Sequence, residues 1–140
     1  MNEAPVTIGV AQLSWDAYER VVYGSAQVVL ESADRIDAHR AELERQIADG
    51  AVIYSVNTGT GADANRIIPP EAIERVQTNT LRSHAVRVGN PVPESIARGM
   101  LLLKAQAYAQ GTPGLRRAIV ERLVEMQRST APAWTIAEED

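Results

Sequence analysis

Leu13, Ala17, Val21 and Val22 recur at helical spacing after a short β-prone stretch, Val6 to Val10, and predict a first helix near 11–23. Between Ser32 and Ala48 the apolar positions Ile36, Leu43 and Ile47 share a face. Asp37, Arg40 and Glu44 stand at i,i+3 and i,i+4 pairing distances there, and Gly50 supplies the stop. Val52 to Val56 is an apolar run holding one tyrosine. The turn formers that follow it predict a mobile Gly-rich loop at about 57–65. Pro69-Pro70 opens a helix with Ile73, Val76 and Leu81 on its buried side, ending at about His84, and Gly89-Asn90-Pro91-Val92-Pro93 interrupts the chain. In the next segment, 94–109, Ile96, Met100, Leu103 and Ala107 trace a stripe that Leu101, Leu102 and Tyr108 widen. Such a stripe suits a helix covered on most sides, with more apolar surface than the chain can bury alone. After Gly111-Thr112-Pro113, the positions Leu115, Ile119, Leu123 and Met126 predict a last amphipathic helix.

The fold class that follows is mostly all-α, a single domain over 1–140 with an acidic tail at 135–140. Lys+Arg 14 against Asp+Glu 18 gives a formal net charge of -4, so no basic patch invites nucleic acid or an anionic membrane surface. No apolar run is long enough to span a bilayer, and Met1 to Val10 does not read as a secretory signal. With Cys 0 there is no disulfide, thiol nucleophile or cysteine metal site, and a cytoplasmic location is the expectation. His39 lies in a polar helix without a second ligand at metal spacing and reads as a solvated residue, while Trp134 reads as a packing anchor.

Gly59-x-Gly61-x-x-Ala64 after an apolar run satisfies a dinucleotide fingerprint in outline. The fingerprint requires a helix to open there, within βαβ alternation, and neither is predicted. A different match is more specific. Tyr54-Ser55-Val56-Asn57-Thr58-Gly59-Thr60-Gly61 resembles the Tyr-Gly-x-Asn-Thr-Gly-Phe-Gly signature of the histidine and aromatic amino-acid ammonia-lyases. Gln77-Thr78-Asn79-Thr80-Leu81-Arg82-Ser83-His84-Ala85 resembles the Gln-x-Asn-Leu-x-x-Ser-His helix end of that family. Val88-Gly89-x-Pro91 and Gly111-x-x-Gly114-x-Arg116 continue the likeness in order. The resemblance runs from about Val6 to Pro132 but corresponds to roughly the first quarter of a lyase or aminomutase of this family.

The resemblance implies the N-terminal helical part of the lyase fold, with Tyr54 as the catalytic base that takes a proton from the substrate's β-carbon. It implies that His84, with Arg82 nearby, faces the substrate's side chain, and that Asn57, Thr58, Gly59 and Gly61 line the substrate loop. Arg-Ser-His resembles the tyrosine-type members, hence a tyrosine-like aromatic amino acid as substrate. The family's electrophile is a methylidene-imidazolone made from Ala-Ser-Gly, a tripeptide this sequence lacks. No cofactor is therefore expected on this chain, and the methylidene-imidazolone is expected on a partner, a complementary lyase subunit in a hetero-oligomer. Two rivals stand beside this split enzyme: a non-catalytic scaffolding or regulatory subunit of a full-length lyase, and a free-standing small enzyme using the Tyr54 and His84 pocket for other acid-base chemistry. Within the match, Ser55 replaces a glycine, Thr60 an aromatic residue, and Arg87 a glycine of Ser-His-x-x-Gly. These changes alter the freedom and packing of the loop around Tyr54, whose other reading is a core tyrosine with a backbone partner for its hydroxyl.

Overall fold

The computed structural model describes residues 3–86, 90, 92–112 and 114–128. Arg87, the Val88-Gly89-x-Pro91 motif, Pro113, Trp134 and the acidic tail 135–140 lie outside the described residues. The order of elements is β1 (Val6–Ile8), α1 (Trp15–Val22), β2 (Val28–Leu30), α2 (Asp34–Ala48), a single 3-10 turn (Gly61–Asp63), α3 (Pro70–His84), α4 (Glu94–Ala109) and α5 (Arg117–Arg128). The described residues form a mostly α-helical chain, and no helix among them is long and apolar enough to cross a membrane. Backbone contacts group the chain into two compact units, Met1–Glu42 with Pro91–Asp140, and Leu43–Asn90.

In the first unit, β1 and β2 pair in parallel, Val6 opposite Val28 and Ile8 opposite Leu30, with α1 as the crossover that parallel strands require. The β-prone stretch at Val6 to Val10 and the helix after it were expected, but β2, and with it the βαβ unit, was not. Three residues of β2 are too few to show a period, and their partner lies 22 positions earlier. The Ser14 hydroxyl caps α1 by accepting the Ala17 N–H at 3.1 Å, which is why the helix starts later than position 11. Arg98 closes its other end, donating twice to the Val21 carbonyl at 3.2 and 2.6 Å.

The core of this unit comprises Val6, Ile8, Val21, Val22, Ala26, Val28, Ile36, Leu102, Ala105, Ala109, Val120 and Val124. Ile8, Ile36 and Leu102 are fully buried, each contributing about 1.5–3 kcal/mol relative to exposure. α4 enters this core through Leu102, Ala105 and Ala109, with Ala97 and Leu101 also buried, and not through the stripe expected from its periodicity. Ile96, Met100 and Leu103 are 50, 61 and 53% exposed, and Ala107 is exposed with them. Small residues decide the phase: Gly99 and the alanines let α1 and α5 approach, whereas the bulkier stripe does not fit there. α5 is rotated in the same way, burying Val120 and Val124 and exposing Ile119. Asp37, expected to pair within α2, forms an ion pair with Arg117 of α5.

Candidate functional site

The second unit carries the residues singled out from the sequence. None of the hydrophobic core cluster lies in it, and α3 has no fully buried residue. Leu81, expected on the buried side of α3, is 71% exposed, while Ile73 and Val76 are half-buried as expected.

The Val52 to Val56 run is not a strand. It folds into a tight turn in which the N–H groups of Val56 and Asn57 both donate to the Ile53 carbonyl, at 3.1 and 3.2 Å. Ser55, directly after Tyr54, is the one non-glycine residue with positive φ among the described residues, at 62°. Asn57 and Thr58 account for the turn. The Asn57 carboxamide accepts the Ile53 N–H at 2.7 Å and donates to the Ala51 carbonyl at 2.8 Å, gripping the backbone ahead of Tyr54. The Thr58 hydroxyl accepts the Ser55 N–H at 3.1 Å and donates to the Gly59 carbonyl at 2.9 Å, and the residue is buried. Gly59 donates to the Arg66 carbonyl, Ile68 to that of Asn57, and a Thr58–Ile67 bridge closes the loop at its base. A Cβ at Gly59 would stand 2.6 Å from the Asp63 backbone oxygen, so only glycine fits this return. Tyr54 itself is 61% exposed, its hydroxyl accepting the Gly61 N–H at 3.5 Å.

α3 supplies the other half. Pro70 sits in its first turn, and the Gln77 side chain donates to the Ser55 carbonyl at 3.1 Å, tying the helix to the Tyr54 turn. His84 ends the helix. Its Nδ1 lies 2.8 Å from the Thr80 carbonyl, which can only accept, so Nδ1 is the donor there and the tautomer that fits this contact leaves Nε2 as the acceptor. Ser83 donates to the same carbonyl at 3.0 Å. Arg82 and His84 are both exposed, and among the described residues no hydrogen bond or ion pair joins either to Tyr54. Sequence reasoning gave no role to Gln77, although it opens the matched helix motif. Among the described residues no group of three His, Cys, Asp or Glu side chains could hold a metal ion.

Residues 13–133 match the aromatic amino acid lyase family. This chain belongs to that family. It is 43% identical over 112 residues to a histidine ammonia-lyase of Geobacillus thermodenitrificans, a match covering 79% of this chain and 22% of the relative. The fold superposes on the tyrosine aminomutase of Streptomyces globisporus with a TM-score of 0.80 at 28% identity, covering 89% of this chain and 24% of that one. For histidine ammonia-lyase of Trypanosoma cruzi the TM-score is 0.75 at 29% identity, with coverage of 89% and 25%. The chain thus spans about a quarter of the length of the lyases and aminomutases it matches.

Within this family, the methylidene-imidazolone requires three consecutive residues, Ala-Ser-Gly, that this sequence does not contain. The residues present do not fit that group, and no step through it is assigned to this chain. What the site offers is a phenol on a pinned turn and an imidazole acceptor at the end of a helix tied to that turn.

Proposed function

We propose that this chain is the small component of a split aromatic amino-acid lyase or aminomutase, lending Tyr54 and His84 to a site completed by a complementary polypeptide. One observation carries the reading: Tyr54 and His84 stand exposed on a unit that holds none of the buried hydrophobic cluster. A base that works by removing a carbon-bound proton needs exclusion of water and nearby positive charge, because a phenol of ordinary pKa about 10 is protonated at neutral pH. An added polypeptide supplies both. Tyr54, as phenolate, takes the proton from the substrate's β-carbon; the C–H electron pair becomes the new double bond as the amine departs with the electrons of its bond to carbon. The electrophile that receives the amine belongs to the complementary polypeptide. His84 Nε2 accepts a hydrogen bond from a donor on the substrate ring, with Arg82 nearby, which favours a phenol hydroxyl over an unsubstituted ring. A tyrosine-like substrate follows.

Mixing this chain with the Ala-Ser-Gly-bearing polypeptide of its own genome tests the reading. Each alone releases no ammonia and makes no rearranged amino acid from tyrosine, and the mixture turns tyrosine over. Tyr54→Phe, which keeps shape and removes the proton acceptor, lowers that turnover by at least about 10²-fold without loss of partner binding. Full activity of the Phe variant leaves a scaffolding subunit, and ammonia release by this chain alone leaves a free-standing enzyme.

A further inference from the structure

Resting on the proposed roles of Tyr54 and His84, we infer that Gln77 is a positioning residue that sets the separation between base and ring anchor, with α3 as the ruler. Three observations on the second unit combine here. First, the side chains of Asn57 and Thr58 bond only to residues 51–59 and fix the shape of the Tyr54 turn, while its backbone ties run to Arg66 and Ile68, ahead of α3, and leave its place along the helix to another contact. Second, the Gln77 Nε2 donation to the Ser55 carbonyl, 3.1 Å long, links that turn to α3 across 22 residues of chain. Third, Gln77 and His84 are seven residues apart, two turns of helix, which puts them on one face with a rise of about 10 Å between them.

The latched carbonyl belongs to Ser55, the neighbour of Tyr54 and the residue with positive φ. In that conformation the peptide after Ser55 is turned so that its carbonyl meets a helix side chain. A carbonyl has no proton, so only a donor at position 77 can make this contact. Loss of the donor frees the turn to shift along α3, and its own hydrogen bonds, still formed at rest, open more often. Tyr54 then keeps its local structure and loses its distance to His84. Misplacement by an ångström is enough to cost catalysis heavily when a base must meet a carbon-bound proton.

Four variants separate a donor from a spacer. Gln77→Glu keeps the length and removes the donor, Gln77→Ala removes both, and Gln77→Lys keeps a donor; Glu74→Gln, on the same helix, is the control. The chain by itself gives the first readout, amide hydrogen exchange and backbone chemical shifts. In Gln77→Glu and Gln77→Ala the Ser55 carbonyl carbon shifts and the Val56 and Asn57 amides exchange at least about 10-fold faster, α3 amides being unchanged. Gln77→Lys and Glu74→Gln stay near wild type. Wild-type values at Ser55, Val56 and Asn57 in both Gln77→Glu and Gln77→Ala overturn the latch, whether or not any partner restores turnover. With the complementary polypeptide present, the second readout is a kcat fall of about 10-fold with KM changed less than 2-fold in Gln77→Glu, rescued by Gln77→Lys. An inactive mixture with wild-type chain overturns the split-enzyme reading and leaves the exchange result to decide the latch; an active mixture in which Gln77→Glu has wild-type kcat overturns the positioning role.

Discussion

The hydroxyl of Tyr18 lies directly over the Cα of Gly99, so closely that a Cβ at position 99 would overlap it. This contact brings α1 against α4. Two effects oppose each other in Gly99→Ala: alanine favours a helix interior by about 1 kcal/mol, while overpacking a close contact costs about 1–3 kcal/mol. Overpacking wins, so the substitution destabilises by about 1 kcal/mol in urea unfolding. In a Tyr18→Phe background the obstructing oxygen is gone, and Gly99→Ala is neutral or stabilising. An equal cost in both backgrounds contradicts the assigned contact.

Two buried glutamines should respond in opposite ways. Gln106 is fully used: it accepts from the Gly9 N–H and donates to the Gly9 and Ala11 carbonyls, at 3.3, 3.0 and 2.8 Å. Gln127 is also buried, yet neither polar atom of its side chain has a hydrogen-bond partner among the described residues. Gln106→Met strands three backbone groups and lowers stability by about 1–3 kcal/mol. Gln127→Met removes an unpaired carboxamide and raises stability by about 1 kcal/mol. Thermal unfolding of both variants checks the pair, and a stabilising Gln106→Met or a destabilising Gln127→Met refutes it.

Ser55→Gly relieves the left-handed backbone at φ 62°. That conformation costs an L-residue about 1–2 kcal/mol, and the larger unfolded-state entropy of glycine offsets about 0.5–1 kcal/mol of the relief. A net gain of about 0.5 kcal/mol is expected, and Ser55→Val should lose stability. The reverse order of the three residues in chemical denaturation is the disproof.

How much of this was readable beforehand depends on range. The helices were legible because prolines, glycine stops and periodicity are local: Pro70 and Gly50 mark ends that the structure keeps, whereas the cap at Ser14 was passed over. The inward face of α4 was not, since its apolar residues cover two faces and the choice rests on Tyr18 and α5 finding Gly99 and the alanines. At the site, the motif singled out Tyr54 and the end of α3 at His84, but not the turn into which Val52 to Val56 folds. That Asn57 grips Ala51 and Ile53, and that Gln77 reaches Ser55, emerges only when the turn is folded.

Acid should expose the Asp37–Arg117 pair. The Arg117 guanidinium hydrogen bond, together with its charge, holds the Asp37 carboxyl below its ordinary value of 3.8 against a smaller opposing effect of burial. A folded-state pKa below the unfolded one means stabilisation that is present above about pH 4 and lost as pH falls through the folded value. Wild type and Asp37→Asn should therefore differ by a constant amount from about pH 5 to pH 8 and converge in stronger acid. Both side chains are 46% exposed, so added salt shrinks the difference. A gap that widens below pH 4 contradicts the pair.

The exposed α4 stripe makes a separate prediction about association. Because Met100 and Leu103 lie outside the core, Met100→Glu and Leu103→Asp should change stability by less than about 0.5 kcal/mol. Leu102→Ala, one residue away and fully buried, should cost about 2–5 kcal/mol. Sedimentation at micromolar concentration, alone and with the complementary polypeptide, should show association by wild type and its loss in Met100→Glu. Unchanged association in both charged variants removes the stripe from the interface.

The Gln106 bonds to Gly9 and the Arg128 bonds to the Val28 carbonyl join residues 97 and 100 positions apart. On a ribosome adding about 5–20 residues per second, β1 and β2 wait roughly 5–20 s for these partners to be made. Throughout that interval Val6, Ile8 and Val28 have no α4 or α5 to cover them, and closing so long a loop adds its own entropic delay. The nascent chain is thus a natural client for a holding chaperone. Its yield in a cell should depend on the pace of translation between β2 and α5 as much as on the stability of the finished fold.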